Sequence, residues 1–209
     1  MTTTLYLVRH GEVEERYHKV FGGDQIDMEL SPLGHQQAEA LAEYLGRFNF
    51  DAIYASPMKR AQQTLAPLSK RFPILTTCLP DLREVNFGDW TGLKWQDVQD
   101  RHGVSAYQWL DMIHQGSIPN GECARRFADR VEPCLKAILD KHRGQEVAVV
   151  CHGGVVRMLL TLLLELPLPT MARLDIEYAS VTIVKVHATK TEIKLLNLTP
   201  WRDLHPPKA

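Results

Sequence analysis

Two histidines of this chain stand in the same local context, directly after an apolar run and directly before a glycine. His10 follows residues 5–8 (LYLV) and an arginine, and His152 follows residues 147–151 (VAVVC). Short apolar runs that end at a glycine are typical of buried strands in a parallel sheet. Because ligands bind at the carboxyl edge of such a sheet, we expect both imidazoles to contribute to one site at that edge.

Three charged side chains are expected at the same edge. Arg9 precedes the first histidine, Arg60 lies in the first turn of a predicted helix, and Glu84 lies in an irregular segment. A guanidinium donates paired hydrogen bonds to phosphate oxygens, and the free N–H groups of a helix that opens at Gly153 and Gly154 favour an anion. These groups predict a phosphate pocket in which one acid is suited to protonating a leaving oxygen. The spacing leaves open which histidine would attack phosphorus.

The elements that must position these groups alternate along the chain. Apolar patterns and turn residues predict strands at residues 4–9, 52–56, 74–78, 146–151, 181–187 and 193–198. Helices are predicted at residues 32–48, 58–72, 95–102, 105–114, 125–142 and 155–164, with Pro67 kinking or restarting the second. This alternation predicts an α/β fold: a three-layer α/β/α domain with a mostly parallel central sheet of about six strands and helices on both faces. A small helical cap over the site is expected at about residues 93–122.

Length, charge and cysteine content narrow the class of protein. A chain of 209 residues fits a single domain over residues 1–209, and a formal net charge of −1 provides no overall field to recruit nucleic acid or membrane. Four cysteines without a CxxC pair are typical of reduced cytoplasmic thiols. The N-terminus lacks a signal-peptide pattern, and the most apolar predicted helix is too short to span a bilayer. We therefore expect a cytoplasmic protein that acts on a small molecule, with neither nucleic acid nor membrane as partner.

Four stretches of the chain resemble, in the same order, the motifs of the histidine phosphatase superfamily, also called phosphoglycerate mutase-like. They are residues 7–12 (LVRHGE), 56–64 (SPMKRAQQT), 82–92 (LREVNFGDWTG) and 151–154 (CHGG). The resemblance implies that His10 is the nucleophile that becomes phosphohistidine, and that Arg9, Arg60 and His152 hold the phosphoryl oxygens. It implies that Glu84 protonates the leaving alcohol and then deprotonates water. It also implies that no metal ion or other cofactor is needed, because fixed cations supply the electrostatic stabilisation.

The residues expected to contact the substrate surround this set. They are Arg9, Gly11, Arg16, Gly22, Gly23, Arg60 and Gly153. Arg16 departs from the family pattern, which often has asparagine at that position, and its extra cation either favours a more anionic substrate or points to solvent. A further group either lines a pocket for the leaving group or belongs to the ordinary core: Tyr17, Trp90, Lys94 and Trp109.

The spacing between the acid and the second histidine resembles the phosphatase branch of the family rather than its mutases. The mutases carry a long insertion there, whereas 67 residues separate Glu84 from His152. Residues 86–92 (NFGDWTG) and 118–122 (IPNGE) resemble the α-ribazole phosphatases, so α-ribazole 5′-phosphate is one candidate among small phosphorylated metabolites. The alternative is a broad-specificity sugar-phosphate or phosphoglycerate phosphatase, or a phosphoglycerate mutase. A homodimer is one assembly open to such a chain.

Three other interpretations lead to different tests. A non-catalytic phosphate-binding protein would be expected to lack a member of the catalytic set, and none is missing. A metal-dependent hydrolase could use His10, His152 and Glu84, but the arginines would repel a cation; turnover that is insensitive to a chelator would dismiss it. Cys151 could be a nucleophile, but it lacks the glycine-rich loop and trailing arginine of cysteine phosphatases and is expected to point into the core, so Cys151→Ser should keep its activity.

Overall fold

The computed structural model describes residues 1–105 and 108–204, and within these ranges the strands form one six-stranded sheet. The strands are β1 (Thr3–Arg9), β2 (Ala52–Ala55), β3 (Thr76–Cys78), β4 (Glu146–Cys151), β5 (Val181–Val186) and β6 (Thr191–Leu198). Their spatial order is β3-β2-β4-β1-β5-β6. The first four in this order run parallel, whereas β5 pairs antiparallel with β1 and β6 antiparallel with β5. The predicted mostly parallel sheet is confirmed.

Helices cover both faces of the sheet, as predicted. They are α1 (Pro32–Leu45), α2 (Lys59–Ser69), α3 (Trp95–His102), α4 (Trp109–Gln115), α5 (Ala124–Lys141), α6 (Gly153–Leu163) and α7 (Pro200–Asp203). One apolar core joins the sheet to α1 and α2, and a second core joins it to α5 and α6. Over the part of the chain that the structure describes, no helix combines the length and apolar character needed to cross a membrane.

Alternate residues of β1 serve the two cores. Leu5 and Leu7 belong to the core on the α5 and α6 side, whereas Tyr6 and Val8 belong to the core on the α1 and α2 side. These side chains are at most 3 % exposed, and each burial of this kind stabilises the fold by roughly 1.5–3 kcal/mol. A strand buried on both faces needs an unbroken apolar run, which is why residues 5–8 carry no charge and the first charged side chain, Arg9, appears only where β1 ends.

The start of α1 constrains the loop that leaves β1. Ser31 Oγ accepts a hydrogen bond from the Gly34 N–H at 2.9 Å, and Pro32 occupies the first helical position, as predicted. This first turn lies so close to Gly11 that a Cβ atom built there would be 2.7 Å from Gly34 O. Gly11 is therefore needed where the chain passes α1.

Several boundaries differ from the sequence-based expectation. α2 ends at Ser69 rather than at residue 72, and it runs through Pro67 without restarting because the proline lies in its last turn. Short 3₁₀ segments were not predicted, since single turns carry no periodic pattern; they include Glu15–Tyr17, Pro80–Leu82, Gly88–Trp90 and Leu168–Arg173. The helix expected at residues 105–114 falls partly outside the described ranges.

The segment expected to form a cap contains α3 and α4. α4 packs against α5 and against the 3₁₀ segment Leu168–Arg173. Trp95 begins α3 and Trp109 begins α4, and both side chains border a cavity at the carboxyl edge of the sheet. This segment thus supplies two aromatic side chains to the lining of the cavity.

Candidate active site

The two histidines predicted to share a site lie side by side at the carboxyl ends of adjacent parallel strands. The register of β1 and β4 pairs Arg9 with Cys151, so the next residue of each strand is a histidine. The His10 N–H donates to Cys151 O at 3.0 Å, and the His10 and His152 ring centroids are 5.2 Å apart. Strand register alone therefore accounts for the juxtaposition of the imidazoles.

Arg60 joins the two imidazoles from the first turn of α2. Its Nε is 3.3 Å from His10 Nε2 and 3.2 Å from His152 Nδ1. Its Nη1 donates to Ile26 O at 3.1 Å and its Nη2 to Gly23 O at 2.9 Å. Burial lowers the pKa of Arg60 and the nearby Glu84 partly offsets this, but a guanidinium stays charged in proteins. The site therefore contains a fixed, buried cation.

Gly23 lets the loop hold Arg60 in this way. Its φ is +51°, and a Cβ atom built there would lie 2.5 Å from Val85 O. A Cβ atom built on Gly22 would collide with Met28, at 1.9 Å from its Cε. Both glycines border the cavity, and their structural role is to bring loop carbonyls to the guanidinium.

The hydrogen bonds of His10 leave a lone pair on Nε2. Its Nδ1 is 2.7 Å from Gly11 O, and because a carbonyl only accepts, Nδ1 carries the proton. Burial, followed by Arg60 and Arg9, holds the pKa of His10 well below its usual range. The imidazole is therefore neutral near pH 7. Its Nε2 lone pair accepts the Arg60 Nε–H at 3.3 Å and is suited to nucleophilic attack once that hydrogen bond is released.

His152 lies beneath the cavity and does not border it. Its side chain is fully buried, its Nδ1 accepts from Arg60, and its Nε2 is 2.8 Å from Ser56 Oγ. In this geometry His152 contributes to the site by holding the Arg60 guanidinium in place. The resemblance implies a direct contact between His152 and the phosphoryl group, and that contact would require the hydrogen bond from Arg60 to His152 Nδ1 to break. Ser56 orients the His152 ring from the side away from the cavity, and the sequence analysis did not predict this contact. The position of Ser56 at the end of the second apolar strand was the signal that could have indicated it.

Arg9 is held by a segment that the sequence pattern did not indicate. Its Nη1 donates to Ile176 O, and its Cζ lies 3.8 Å from the centroid of the Tyr178 ring. The same ring is 5.5 Å from that of His10, and the Ala179 N–H donates to His10 O at 3.0 Å. The segment before β5 therefore packs an aromatic face against the cationic side of the site.

Glu84 occupies the N-terminus of α6, where we expected a substrate anion. Its Oε2 accepts the Gly154 N–H at 3.1 Å and its Oε1 accepts the Val85 N–H at 3.0 Å. A Cβ atom built on Gly154 would lie 2.3 Å from Glu84 Oε1, so glycine is needed at that position. The expectation that the first turn of α6 is free for substrate is wrong, because the carboxyl group of Glu84 already accepts an N–H of that turn. Gly153 still borders the cavity.

Arg130 on α5 fixes the segment that carries the acid. Its Nη2 donates to Glu84 O at 3.0 Å, its Nη1 to Asp81 O at 2.6 Å and Arg83 O at 2.8 Å, and its Nε to Glu122 Oε1 at 2.7 Å. These contacts tie a turn without regular structure to a helix. Arg130 is a positioning residue that the sequence pattern did not single out.

Replacing Arg130 by methionine should displace Glu84 and lower activity. We expect kcat to fall about ten- to a hundredfold, since displacement of a reacting group by about 1 Å costs that much. Unfolding free energy should fall by about 3 kcal/mol, because Glu122 loses its partner while largely buried. Steady-state kinetics and thermal unfolding check both effects. Arg125→Met, which removes an exposed ion pair to Asp129, is the matched control, and equal effects of the two variants would contradict the positioning role.

The cavity above these groups is small, about 190 Å³. Residues predicted for the site that border it are Arg9, His10, Tyr17, Gly22, Gly23, Arg60, Glu84, Trp109 and Gly153. Residues that border it without having been predicted include Lys19, Phe21, Phe87, Trp95, Arg157 and Tyr178. A pocket of this size with a cationic floor and an aromatic wall fits a small phosphorylated molecule.

Some predicted contacts are not part of this cavity lining. Arg16 pairs with Glu14 at 2.6 Å, and its side chain is 67% exposed, so it takes the solvent-facing alternative. Trp90 is fully buried in the core, and Lys94 lies at the start of α3, outside the lining. Gly11 packs against α1 and donates its N–H to Thr64 Oγ1. The extra cation expected from Arg16 is supplied instead by Arg157.

Alternatives based on other chemistry find little support in this arrangement. Among residues 1–105 and 108–204, no group of three or more His, Cys, Asp or Glu side chains is placed to hold a metal ion. Arg60 Nε stands between His10 and His152, where a metal shared by the two rings would have to lie. Cys151 is fully buried in the core, as expected, and burial raises the pKa of its thiol, which disfavours the thiolate.

Sequence comparison identifies the class of protein. A family model described as "Histidine phosphatase superfamily (branch 1)" matches residues 5–199. The match covers nearly the whole chain and includes both histidines, both predicted phosphate-binding arginines and Glu84. The chain therefore belongs to the histidine phosphatase superfamily, as the sequence motifs indicated.

Several similar proteins are phosphatases by name. Phosphoserine phosphatase 1 of Hydrogenobacter thermophilus is 28% identical over 195 residues, or 93% of this chain and 92% of that protein. The adenosylcobalamin/alpha-ribazole phosphatase of Escherichia coli is 25% identical over 193 residues, or 92% and 95%. The solved structure of mycobacterial glucosyl-3-phosphoglycerate phosphatase superposes with a TM-score of 0.86 at 26% identity, covering 94% of this chain and 99% of that one. These similarities support a hydrolase of the phosphatase class.

Proposed function

We propose that this protein hydrolyses small phosphomonoesters through a phosphohistidine on His10, without a metal ion. One observation carries the proposal: the unprotonated Nε2 of His10 lies within 3.3 Å of a buried guanidinium, in a cavity that Glu84 and Arg9 also border. Nucleophile, fixed cations and acid are thus gathered around a space that fits a phosphoryl group.

The chemistry divides into two steps. In the first, His10 Nε2 attacks phosphorus, the ester P–O bond breaks, and the carboxylic acid of Glu84 gives its proton to the leaving alcohol. In the second, the Glu84 carboxylate takes a proton from water, the water oxygen attacks phosphorus, and the P–N bond breaks. Phosphate leaves, and both side chains return to their starting protonation states.

The arginines stabilise the charge that develops on the phosphoryl oxygens. Arg60 and Arg9 are preorganised by backbone carbonyls, so little reorganisation is needed when the transition state forms. Partial burial makes their electrostatic effect larger than it would be in water. His152 contributes by keeping Arg60 in place.

The size of the cavity favours a small leaving group. About 190 Å³ is less than the roughly 300–1,000 Å³ of pockets for drug-sized ligands. A phosphorylated amino acid, as in the name of one of these proteins, suits this volume better than the α-ribazole nucleoside or the glucosylated phosphoglycerate in the names of the other two. We propose a phosphorylated metabolite of a few carbon atoms as the substrate, with α-ribazole 5′-phosphate as the alternative.

Turnover of para-nitrophenyl phosphate with and without a chelator tests this function. We expect hydrolysis that EDTA leaves unchanged, because the cations of the proposed mechanism belong to the chain. Loss of turnover in EDTA that added divalent metal restores would contradict metal independence. Absence of turnover on aryl and alkyl phosphates alike would contradict the phosphatase itself.

Replacing Glu84 by glutamine should slow the enzyme in a way that depends on the leaving group. An amide has a single oxygen, so it keeps one of the two backbone N–H bonds, turns its NH2 group toward the other, and cannot donate an acidic proton. For O-phosphoserine we expect kcat to fall about 10³-fold, and for para-nitrophenyl phosphate much less, because a good leaving group needs little protonation. Glu43→Gln on the exposed face of α1 is the control. Equal losses on both substrates would argue against a general-acid role.

A further inference from the structure

A third guanidinium borders the cavity beside Arg9. Arg157 lies one turn into α6, its side chain is 13% exposed, and it lines the cavity. A Cβ atom built on Gly153 would lie 3.2 Å from Arg157 Nη1 and 3.2 Å from Arg9 Nε. The Arg9 and Arg157 guanidinium groups therefore lie next to each other on one wall of the cavity, and the space between them over Gly153 is narrow.

The contacts of Arg157 within the chain only partly balance its charge. Its Nε donates to Leu174 O at 2.6 Å. Its Nη2 is 3.8 Å from Asp175 Oδ1, but that carboxylate is 83% exposed, and pairs of this kind contribute little. Burial and Arg9 lower the pKa of Arg157. Two adjacent, largely buried cations are costly in the free protein, and an anion bound between them would offset that cost.

The position of Arg157 assigns it to the leaving-group side of the site. The charges that act on Arg157 are those of Arg9, Glu84 and Asp175, whereas Arg60 contacts both imidazoles and marks the phosphoryl side. Arg9 acts on both imidazoles as well as on Arg157, so it lies between the phosphoryl side and Arg157. Glu84 marks where the leaving oxygen must lie, because it has to protonate that atom. A group attached to the carbon next to that oxygen would reach Arg157.

We propose that Arg157 binds a carboxylate on the leaving group, so that the preferred substrates are phosphomonoesters of small hydroxy acids or hydroxy amino acids. This rests on the proposed phosphatase activity and adds the residue that would select the substrate. A carboxylate is planar and can receive the two Nη groups of the guanidinium together. It also fits the small cavity better than a second phosphate or a nucleoside would.

Two matched pairs of substrates test the proposal. 3-Phosphoglycerate differs from glycerol 3-phosphate by its carboxylate, as O-phosphoserine differs from phosphoethanolamine. For wild type we expect kcat/KM to be about ten- to a hundredfold higher for the carboxylated member of each pair, the effect of one charged hydrogen-bonded contact. In Arg157→Gln this ratio should fall close to one, mainly through KM.

Two further variants separate charge from structure. Arg157→Lys keeps the positive charge but loses the planar guanidinium that can hold both Leu174 O and a ligand carboxylate. This variant should retain part of the preference for the carboxylated substrates. Arg143→Gln removes an exposed arginine that pairs with Asp140 just before β4, at the other edge of the sheet, and should leave the ratio unchanged. Inhibition of wild type by glycerate, compared with glycerol, gives a readout that needs no variant; glycerate should bind at least tenfold more tightly.

Each outcome has a distinct meaning. Equal kcat/KM values within each pair for wild type, with equal inhibition by glycerate and glycerol, would overturn the role of Arg157 while leaving the phosphatase intact. An unaltered preference in a folded Arg157→Gln variant would do the same. Failure of wild type to hydrolyse para-nitrophenyl phosphate and all four substrates would overturn the phosphatase itself, and this inference with it.

Discussion

Replacing His10 by alanine is expected to lower kcat for para-nitrophenyl phosphate by about 10⁴-fold or more, because the chain loses the atom that receives the phosphoryl group. The neutral imidazole with its proton held at Nδ1 by Gly11 O has no substitute nearby. The other ring, that of His152, is fully buried beneath the cavity. Neither water nor a bound buffer should replace it efficiently, since His10 itself is only 5% exposed.

The comparison for this variant is His114→Ala, which removes an exposed histidine from the end of α4. Its kcat should stay within about twofold of wild type, as for most surface substitutions. Circular dichroism and thermal unfolding would show that the His10→Ala variant is folded. A folded variant that keeps more than a tenth of wild-type turnover would contradict nucleophilic catalysis by His10.

Replacing Arg60 by methionine is expected to have the second-largest effect, a loss of about 10³-fold in kcat. The guanidinium contacts both imidazoles with one nitrogen and two loop carbonyls with the others. Its loss removes a cation from the phosphoryl oxygens and also releases His10 and the loop at residues 22–26. Because the same contacts act in binding and in the transition state, KM should rise as well.

Lysine 59 offers a neighbouring control. Lys59 precedes Arg60 at the start of α2, but its exposed ammonium pairs with Glu29 at 3.1 Å on the surface, so Lys59→Met should change kcat by less than about twofold. Arg60→Lys should recover little activity, because an ammonium group cannot bridge both rings and both carbonyls. Arg60→Met within tenfold of wild type would show that this cation is not needed for the chemistry.

The parts of the site that follow from strand order were predictable from the sequence. An apolar run ending in a histidine and a glycine, found twice, indicated two parallel strands, and their in-register pairing brings His10 next to His152. Arg60 was predictable for the same reason, since a residue in the first turn after a strand lies at the carboxyl edge. The mostly parallel sheet and the helices on both faces followed from the alternation of patterns.

Contacts made across the tertiary structure carried no such signal. In the sequence, Arg157 is an ordinary polar residue on an apolar helix. Only the structure shows that its guanidinium lies beside Gly153 and borders the cavity. Arg130 reaches the Glu84 segment from a different helix, and Tyr178 reaches Arg9 from an irregular loop. Arg16, although close in sequence to His10, pairs with Glu14 in solvent, which was one of the two alternatives open for it. Sequence proximity predicted contacts well along strands and poorly along loops.

Trapping of the covalent intermediate is the most direct measurement. Wild-type protein would be mixed with a phosphomonoester carrying labelled phosphate, quenched within milliseconds in alkali and digested, and the label located by mass spectrometry. A phosphoramidate on His10 Nε2, stable in alkali, lost in acid and absent from His10→Ala, is the predicted result. Rapid turnover with no label on the protein, or with the label on another residue, would contradict the mechanism.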